Sequence, residues 1–311
     1  MQKEITYIIV TWNNEKEIEE CLKSLFKYSP QNSKVIIVDN NSGDKTTSII
    51  SSSFPSVKLI KSEDNLGFAG GNNLALKYVE TDYICYLNPD VIFKEDIVSK
   101  SVEILENNPE IGIVSCRLEN LDGTYQASTF NFANSWTMFS EILHIGRIVP
   151  NQLRKNNFSN YYYPTSDFSP EWVIGAEMVL RTIDANSING FSTEYFMYTE
   201  DMDICKKMES ILSKSIYYMN SISLVHIGGA SENQNVSYNK QKKMFENLRL
   251  FVSKFYGIKE SRKTLNNMIK AYRIRLILLQ IGYKREDKSI QLDKTNQAIS
   301  ILKELVKKCQ L

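Results

Sequence analysis

The chain has little histidine, little proline and no long apolar run, and each shortage excludes something. Only two histidines occur in 311 residues, His144 and His226, so a histidine-rich metal site is excluded. The five cysteines (Cys21, Cys85, Cys116, Cys205 and Cys309) are scattered without a Cys-x-x-Cys pair. Neither a zinc site nor a disulfide framework is indicated, and a reducing cytoplasm is the expected compartment. Seven prolines and 13 glycines are too few for a fibrous or low-complexity chain. No stretch of about 18 uncharged apolar residues exists, so no membrane-spanning helix is expected. The opening MQKEITYIIVTW lacks the apolar segment and small-residue cleavage site of a secretion signal.

What is present is an ordinary globular composition, 42% hydrophobic and 23% charged, with a hidden asymmetry. Residues 240–311 hold 18 Lys and Arg against 6 Asp and Glu, a net of +12. Residues 1–239 hold 19 against 30, a net of −11. A basic tail on an acidic body suggests a polyanion or an anionic membrane surface, and a solvated helical face explains it equally.

Strand-like and helix-like stretches alternate over the first 116 residues. Residues 4–11, 34–39, 57–61, 82–87 and 111–116 are β-branched and apolar, and read as buried strands. Helical spacing fills the gaps between them. The alternation predicts right-handed crossovers and a mostly parallel sheet with helices on both faces. Residues 122–170 break the rhythm and read as a long irregular segment. Residues 172–181 return to strand character, 201–212 are helical, and 215–218 and 222–226 read as two short strands. Beyond Ser237 three helices are expected, broken near Gly257 and Gly282.

In an open parallel sheet, ligands bind outside the carboxyl ends of the strands. Those ends here carry Thr11-Trp12-Asn13-Asn14, Asp39-Asn40-Asn41-Ser42, Asp64-Asn65-Leu66-Gly67 and Asn88-Pro89-Asp90. Asp39 could accept from a ribose or a base, or simply cap the next helix. Asn65 to Asn73 puts small residues at a helix start, which suits a phosphate or a tight packing turn. It is not a dinucleotide fingerprint. Asp90 suits a hard divalent cation bridging a diphosphate, or a cap. Glu200, Asp201 and Asp203 crowd a helix N-terminus, where one raised pKa would make a general base and where acids also cap. Trp172 reads either as a ring for a sugar or as core. His226 is either structural or a ligand at a divalent site.

In order, IIVTWNN, VDNNSGD, DNLGFAGGNN, LNPDV, WVIGAEMVLR, YTEDMDIC and HIGGAS resemble family 2 glycosyltransferases of the GT-A fold, and bacterial rhamnosyltransferase-type members in particular. The resemblance covers about residues 5–232. It implies that Thr11, Asn13 and Asp39 hold the nucleoside, and that Asn65, Gly67 and Asn72 line the donor pocket with Asn88. It implies that Asp90 and His226 approach a Mg²⁺ or Mn²⁺ ion, that Trp172, Gly175, Ala176 and Glu200 border the acceptor, and that Asp201 is the base. The family's Asp-x-Asp is Asn88-Pro89-Asp90 here, so one carboxylate replaces two. The implied activity is inverting transfer of a sugar from a nucleotide-diphosphate donor, dTDP-rhamnose or a UDP-sugar, to a glycan or lipid-linked acceptor in surface-polysaccharide synthesis.

The implied layout is a domain over residues 1–236, with a Rossmann-like nucleotide-binding half (1–120) and an acceptor half (121–236). A basic helical extension over 237–311 follows. No nucleic-acid partner is expected. A nucleotidyltransferase is the rival enzyme, but Thr11–Glu15 lacks the Gly-rich basic loop it needs; a catalytically silent sugar-binding relative is the rival non-enzyme. Within the tail, Lys270–Arg285 interleaves apolar residues with five cations and no acid. Tyr272, Leu276, Leu279 and Tyr283 fall on one helical side, widened by Ile274, Ile277, Leu278 and Ile281. That face suits the inner surface of the cytoplasmic membrane, the protein's own packing, or a homodimer.

Overall fold

The apolar runs at the front of the chain form parallel strands, β1 (Ile5–Thr11), β2 (Lys34–Asp39), β3 (Lys58–Lys61) and β4 (Tyr83–Leu87), lying in the order β3-β2-β1-β4. Helices α1 (Ile18–Tyr28), α2 (Thr46–Ser53) and α3 (Gly67–Leu76) connect them. On α1, Ile18, Cys21, Leu22 and Leu25 are buried at 3–4 spacing against the sheet. Each such aliphatic side chain contributes about 1.5–3 kcal/mol.

A computed structural model describes residues 4–195, 197–228, 238–281 and 288–309. Beyond β4 come β5 (Val91–Phe93), α4 (Ile97–Asn107), β6 (Ile111–Glu119), β7 (Tyr125–Gln126), β8 (Thr129–Phe130), α5 (Ser135–Ile142) and α6 (Asn151–Arg154). They are followed by β9 (Trp172–Val173), β10 (Glu177–Arg181), α7 (Thr182–Ser187), α8 (Glu200–Leu212) and β11 (Ser215–His226). The chain then runs through α9 (Tyr238–Tyr256), α10 (Ile258–Ile281) and α11 (Lys288–Lys308).

The sheet continues β4-β10-β6-β11-β5. It is mixed, because β10 inserts antiparallel between β4 and β6. Local alternation could not reveal a strand arriving from sixty residues further on. The two short strands expected near residues 215 and 226 are one strand, β11, with its register shifted between Met219 and Ser223. The strand expected over 172–181 is two, β9 and β10.

The sheet must also curl. β5 follows β4 after three residues, yet β5 lies four strand spacings away along the sheet, against β11. Four spacings span roughly 19 Å in a flat sheet, whereas four residue steps reach at most about 14 Å.

Contacts divide the chain into two units. The first is residues 1–129 with 163–231; the second is residues 130–162 with 232–311. In the second, α5, α10 and α11 share a core of residues such as Leu265, Met268, Ile269, Ile301, Leu302 and Leu305. Gly257, at φ +86°, breaks α9 from α10 as expected. The expected break at Gly282 lies outside the described residues.

Candidate active site

The loops after β1 and β2 are stitched together. The Thr11 hydroxyl donates to Asp39 Oδ1 at 3.2 Å, and the Ser42 amide donates to Asp39 Oδ2 at 3.0 Å. Asn13, at φ +56°, donates its amide to Ser42 Oγ at 2.9 Å and accepts the Gly43 amide at 2.8 Å. Asp39 is buried with most of its lone pairs engaged by its own loop. Asp39 thus ties its own loop together and does not cap the next helix, since α2 starts at Thr46 without a side-chain cap.

α3 starts at Gly67, where φ is +70° and the amide donates to Asn65 Oδ1 at 2.9 Å. A Cβ on Gly71 would lie 2.7 Å from Val10 of β1, so this glycine lets helix and strand approach closely. The Asn72 side chain turns back to donate to Phe68 O at 2.9 Å. Its neighbour Asn73 clamps both backbone groups of Phe191, at 2.8 and 2.9 Å.

Between β4 and β5, Asn88, Asp90 and His226 converge. Asn88 Nδ2 lies 3.2 Å and Asp90 Oδ1 3.3 Å from His226 Nε2. On the other ring nitrogen, Nδ1 lies 2.7 Å from Gln126 Oε1. A chain of bonds fixes the protons. The Thr124 hydroxyl donates to Asp122 (2.6 Å), Asn120 Nδ2 to Thr124 Oγ1 (2.9 Å), and Gln126 Nε2 to Asn120 Oδ1 (3.2 Å). Gln126 is thus left with an acceptor facing the ring, so in neutral His226 the proton sits on Nδ1. The Nε2 lone pair then accepts from Asn88 and faces a carboxylate oxygen across 3.3 Å. Two acceptors converging in this way fit a cation between them or a proton on the ring. Among the described residues no three His, Cys, Asp or Glu side chains cluster to hold a metal. A cation here would draw most of its ligands from elsewhere.

The acidic cluster at the start of α8 separates into three environments. Asp203 is fully buried, bonded to Ser192 and to the Thr199 carbonyl through its amide (2.8 Å). Glu200 is buried and folds back onto the Thr199 amide at 2.8 Å. Asp201 is the least buried of the three. Its Oδ1 accepts the Met202 amide at 2.8 Å, and its Oδ2 meets the Gly175 amide at a long 3.4 Å. Burial raises the proton affinity of Asp201; burial and then the Asp201 charge raise that of Glu200. Tyr198, just before the cluster, holds φ +77°, an unusual value for a side-chain-bearing residue.

One backbone link joins the two halves of the site. The Asn88 amide donates to Ala176 O at 2.9 Å, and the adjacent Gly175 approaches Asp201. The turn bearing Asp90 and the acid at the head of α8 therefore meet across residues 175–176. Trp172 stands half-buried on β9. Gln126 and Asn120 escaped the sequence reading. They sit in a segment without periodicity, and Gln126 meets His226 across 100 positions.

Residues 6–174 match the family described as Glycosyl transferase family 2. The chain is 26% identical over 227 residues to the rhamnosyltransferase WbbL of Escherichia coli (strain K12), covering 70% of this chain and 81% of that one. It is 21% identical over 232 residues to an N-acetylglucosaminyl-diphospho-decaprenol L-rhamnosyltransferase of Mycobacterium tuberculosis, covering 70% and 75%. Among solved structures, a mannosyltransferase of Pyrobaculum calidifontis in complex with GDP-Man and Mn²⁺ superimposes with TM-score 0.57 at 14% identity, over 98% of this chain and 87% of that one. The S. aureus TarS fragment 1–349 with UDP-GlcNAc gives 0.55 at 16%, over 98% and 83%. The fold is GT-A.

Proposed function

This chain belongs to glycosyl transferase family 2, and from that premise we propose an inverting hexosyltransferase that moves a sugar from a nucleotide-diphosphate donor to a hydroxyl of a lipid-linked or glycan acceptor. The rhamnosyltransferase relatives favour dTDP-rhamnose over a UDP-sugar as donor. They also favour a cytoplasmic enzyme working at the inner face of the membrane on a lipid-linked acceptor. One observation carries the reading: Asp201, a carboxylate with raised proton affinity, stands against Gly175, whose neighbour Ala176 accepts the Asn88 amide of the turn that bears Asp90.

Asp201 Oδ2 takes the proton of the acceptor hydroxyl. The acceptor oxygen attacks the anomeric carbon in line, the bond from that carbon to the diphosphate oxygen breaks, and the nucleoside diphosphate leaves from the opposite side. A single displacement inverts the anomeric centre. The stitched loops at Thr11, Asn13 and Asp39 receive the nucleoside, with Asn65, Gly67, Asn72 and Asn88 along the donor. Trp172, Gly175, Ala176 and Glu200 border the acceptor. Asp90 Oδ1 and His226 Nε2 would hold Mg²⁺ or Mn²⁺, with water and diphosphate completing its shell. When bound, such a cation neutralises charge growing on the leaving diphosphate.

The test is a panel of nucleotide sugars, read by slow donor hydrolysis and by thermal stabilisation. One donor, dTDP-rhamnose first, should be hydrolysed only with added Mn²⁺ or Mg²⁺. A panel with neither hydrolysis nor stabilisation would sink the enzyme reading; full activity in excess chelator would remove the metal alone.

A further inference from the structure

The second unit leaves large apolar side chains in solvent at one end, and we propose that this end docks on an anionic lipid surface. The inference takes its purpose, delivery to a lipid-linked acceptor, from the reading above; its geometry is independent.

The last turns of α10 are apolar on two sides. Tyr272 and Leu279, on the side expected to meet lipid, instead pack inward: Leu279 is buried and Tyr272 lies against the core of this unit. The second stripe, Ile274, Ile277, Leu278 and Ile281, stays exposed, Ile281 at 78%. Arg275 shows what lies beside it. Its guanidinium donates to Ile142 O (3.3 Å), lies 3.1 Å from His144 Nε2, and donates to Gln291 Oε1 (3.2 Å). These bonds tie α10 to the end of α5 and the start of α11. Just past His144 stands Ile148, 86% exposed; just before Gln291 stands Ile290, also exposed. The apolar stripe thus continues onto two neighbouring segments at the same end.

Charge selects the occupant. Residues 142–162 and 261–281 carry eight Lys and Arg and no Asp or Glu. Arg147, Lys155, Lys270 and Arg273 among them are exposed. The joining residues 282–287 lie outside the described residues, and their sequence holds two cations and two acids. In a symmetric dimer through this face, each copy would set an excess of cations against the other's, with Glu286, Asp287 and Asp293 outnumbered by the Lys and Arg around them. An anionic bilayer meets both features, taking the isoleucines into the headgroup boundary and the cations at its surface. Among the described residues no helix is long and apolar enough to cross a membrane, so this contact is docking.

The test is sedimentation of the full-length protein with vesicles of phosphatidylcholine alone or mixed with phosphatidylglycerol, at low and high salt. The protein should pellet with the anionic vesicles at low salt and be released at high salt. Ile277→Glu with Leu278→Glu should lower the bound fraction roughly tenfold while leaving thermal unfolding and donor hydrolysis unchanged. Lys270→Glu with Arg273→Glu should weaken binding without touching the apolar stripe. Protein that stays in the supernatant at low salt overturns the proposal, as does equal binding to neutral vesicles. Self-association that the Ile277, Leu278 variant abolishes, without vesicle binding, gives the face to a second copy and overturns it too. The vesicles contain no acceptor and hydrolysis is read separately, so failure of docking is distinct from failure of the transferase reading.

Discussion

The two units depart from the ordinary inside–outside rule in opposite directions. The first buries acids: Asp39, Glu177, Asp184, Glu200 and Asp203 are all withdrawn from water. The second, among the described residues, half-buries one acid, Glu141, whose carboxyl burial lifts from 4.5 to about 7, and exposes several isoleucines and leucines along α10. Buried acids and clustered exposed aliphatics are the two informative anomalies of a folded surface. An acid is withdrawn at a cost unless it is bonded or protonated, so a unit that does this repeatedly is building chemistry. An aliphatic cluster left wet marks a surface shaped for something other than water.

The largest expected effect tests whether the first unit keeps an acid protonated. Glu177 lies in the middle of the sheet, one oxygen accepting the Cys116 amide at 3.2 Å, and burial pushes its carboxyl from 4.5 up to about 8. Between those values the folded chain holds a proton that the unfolded chain has lost. Stability therefore falls as pH rises from about 4.5 to about 8, and this contribution is flat above that. Glu177→Gln should flatten the profile, gaining up to ~5 kcal/mol over the native chain at alkaline pH relative to pH 4. Urea unfolding across that range measures it; a difference that does not change with pH would mean the acid is ionised and otherwise compensated.

Next in size is the contrast within the acidic cluster. Asp201→Asn should leave donor binding intact and lower turnover by about 10²-fold or more. Asp203→Asn should instead lower the melting temperature, because it breaks a buried network with Ser192. Near-normal turnover in the Asp201 variant would move the base to Glu200 or Asp203, and the claim that the least buried acid acts would fall.

The smallest effect concerns the hydrogen-bond chain behind His226. Gln126→Leu removes the partner that fixes the His226 ring and should weaken Mn²⁺ binding roughly tenfold. Titration followed by electron paramagnetic resonance reads this without turnover. Unchanged affinity would confine Gln126 to packing.

Much of the first unit was legible in sequence. Strands β1 to β4 and their helices follow from runs of β-branched residues and short turn signals, interactions that act within about ten residues. The antiparallel β10 was not legible, since its register depends on partners about 65 to 100 positions away. The glycines after Asn65 were read as phosphate cradle or packing turn, and Gly71 against Val10 gives packing at that position a definite cause. The apolar positions of α10 were legible too, but not which stripe would be covered.

The sequence alone determined the order of elements, the polar residues at the strand ends, the acidic triplet at a helix start and the basic tail. Each is set by local spacing and side-chain type. Tertiary structure decided which of three adjacent acids is least buried, which nitrogen of His226 carries the proton, and which side of α10 remains bare. Those outcomes depend on groups far away in the chain, such as Gln126 beside His226 and Gly175 beside Asp201. Solvent access and hydrogen-bond direction are properties of the packed chain and of no single segment.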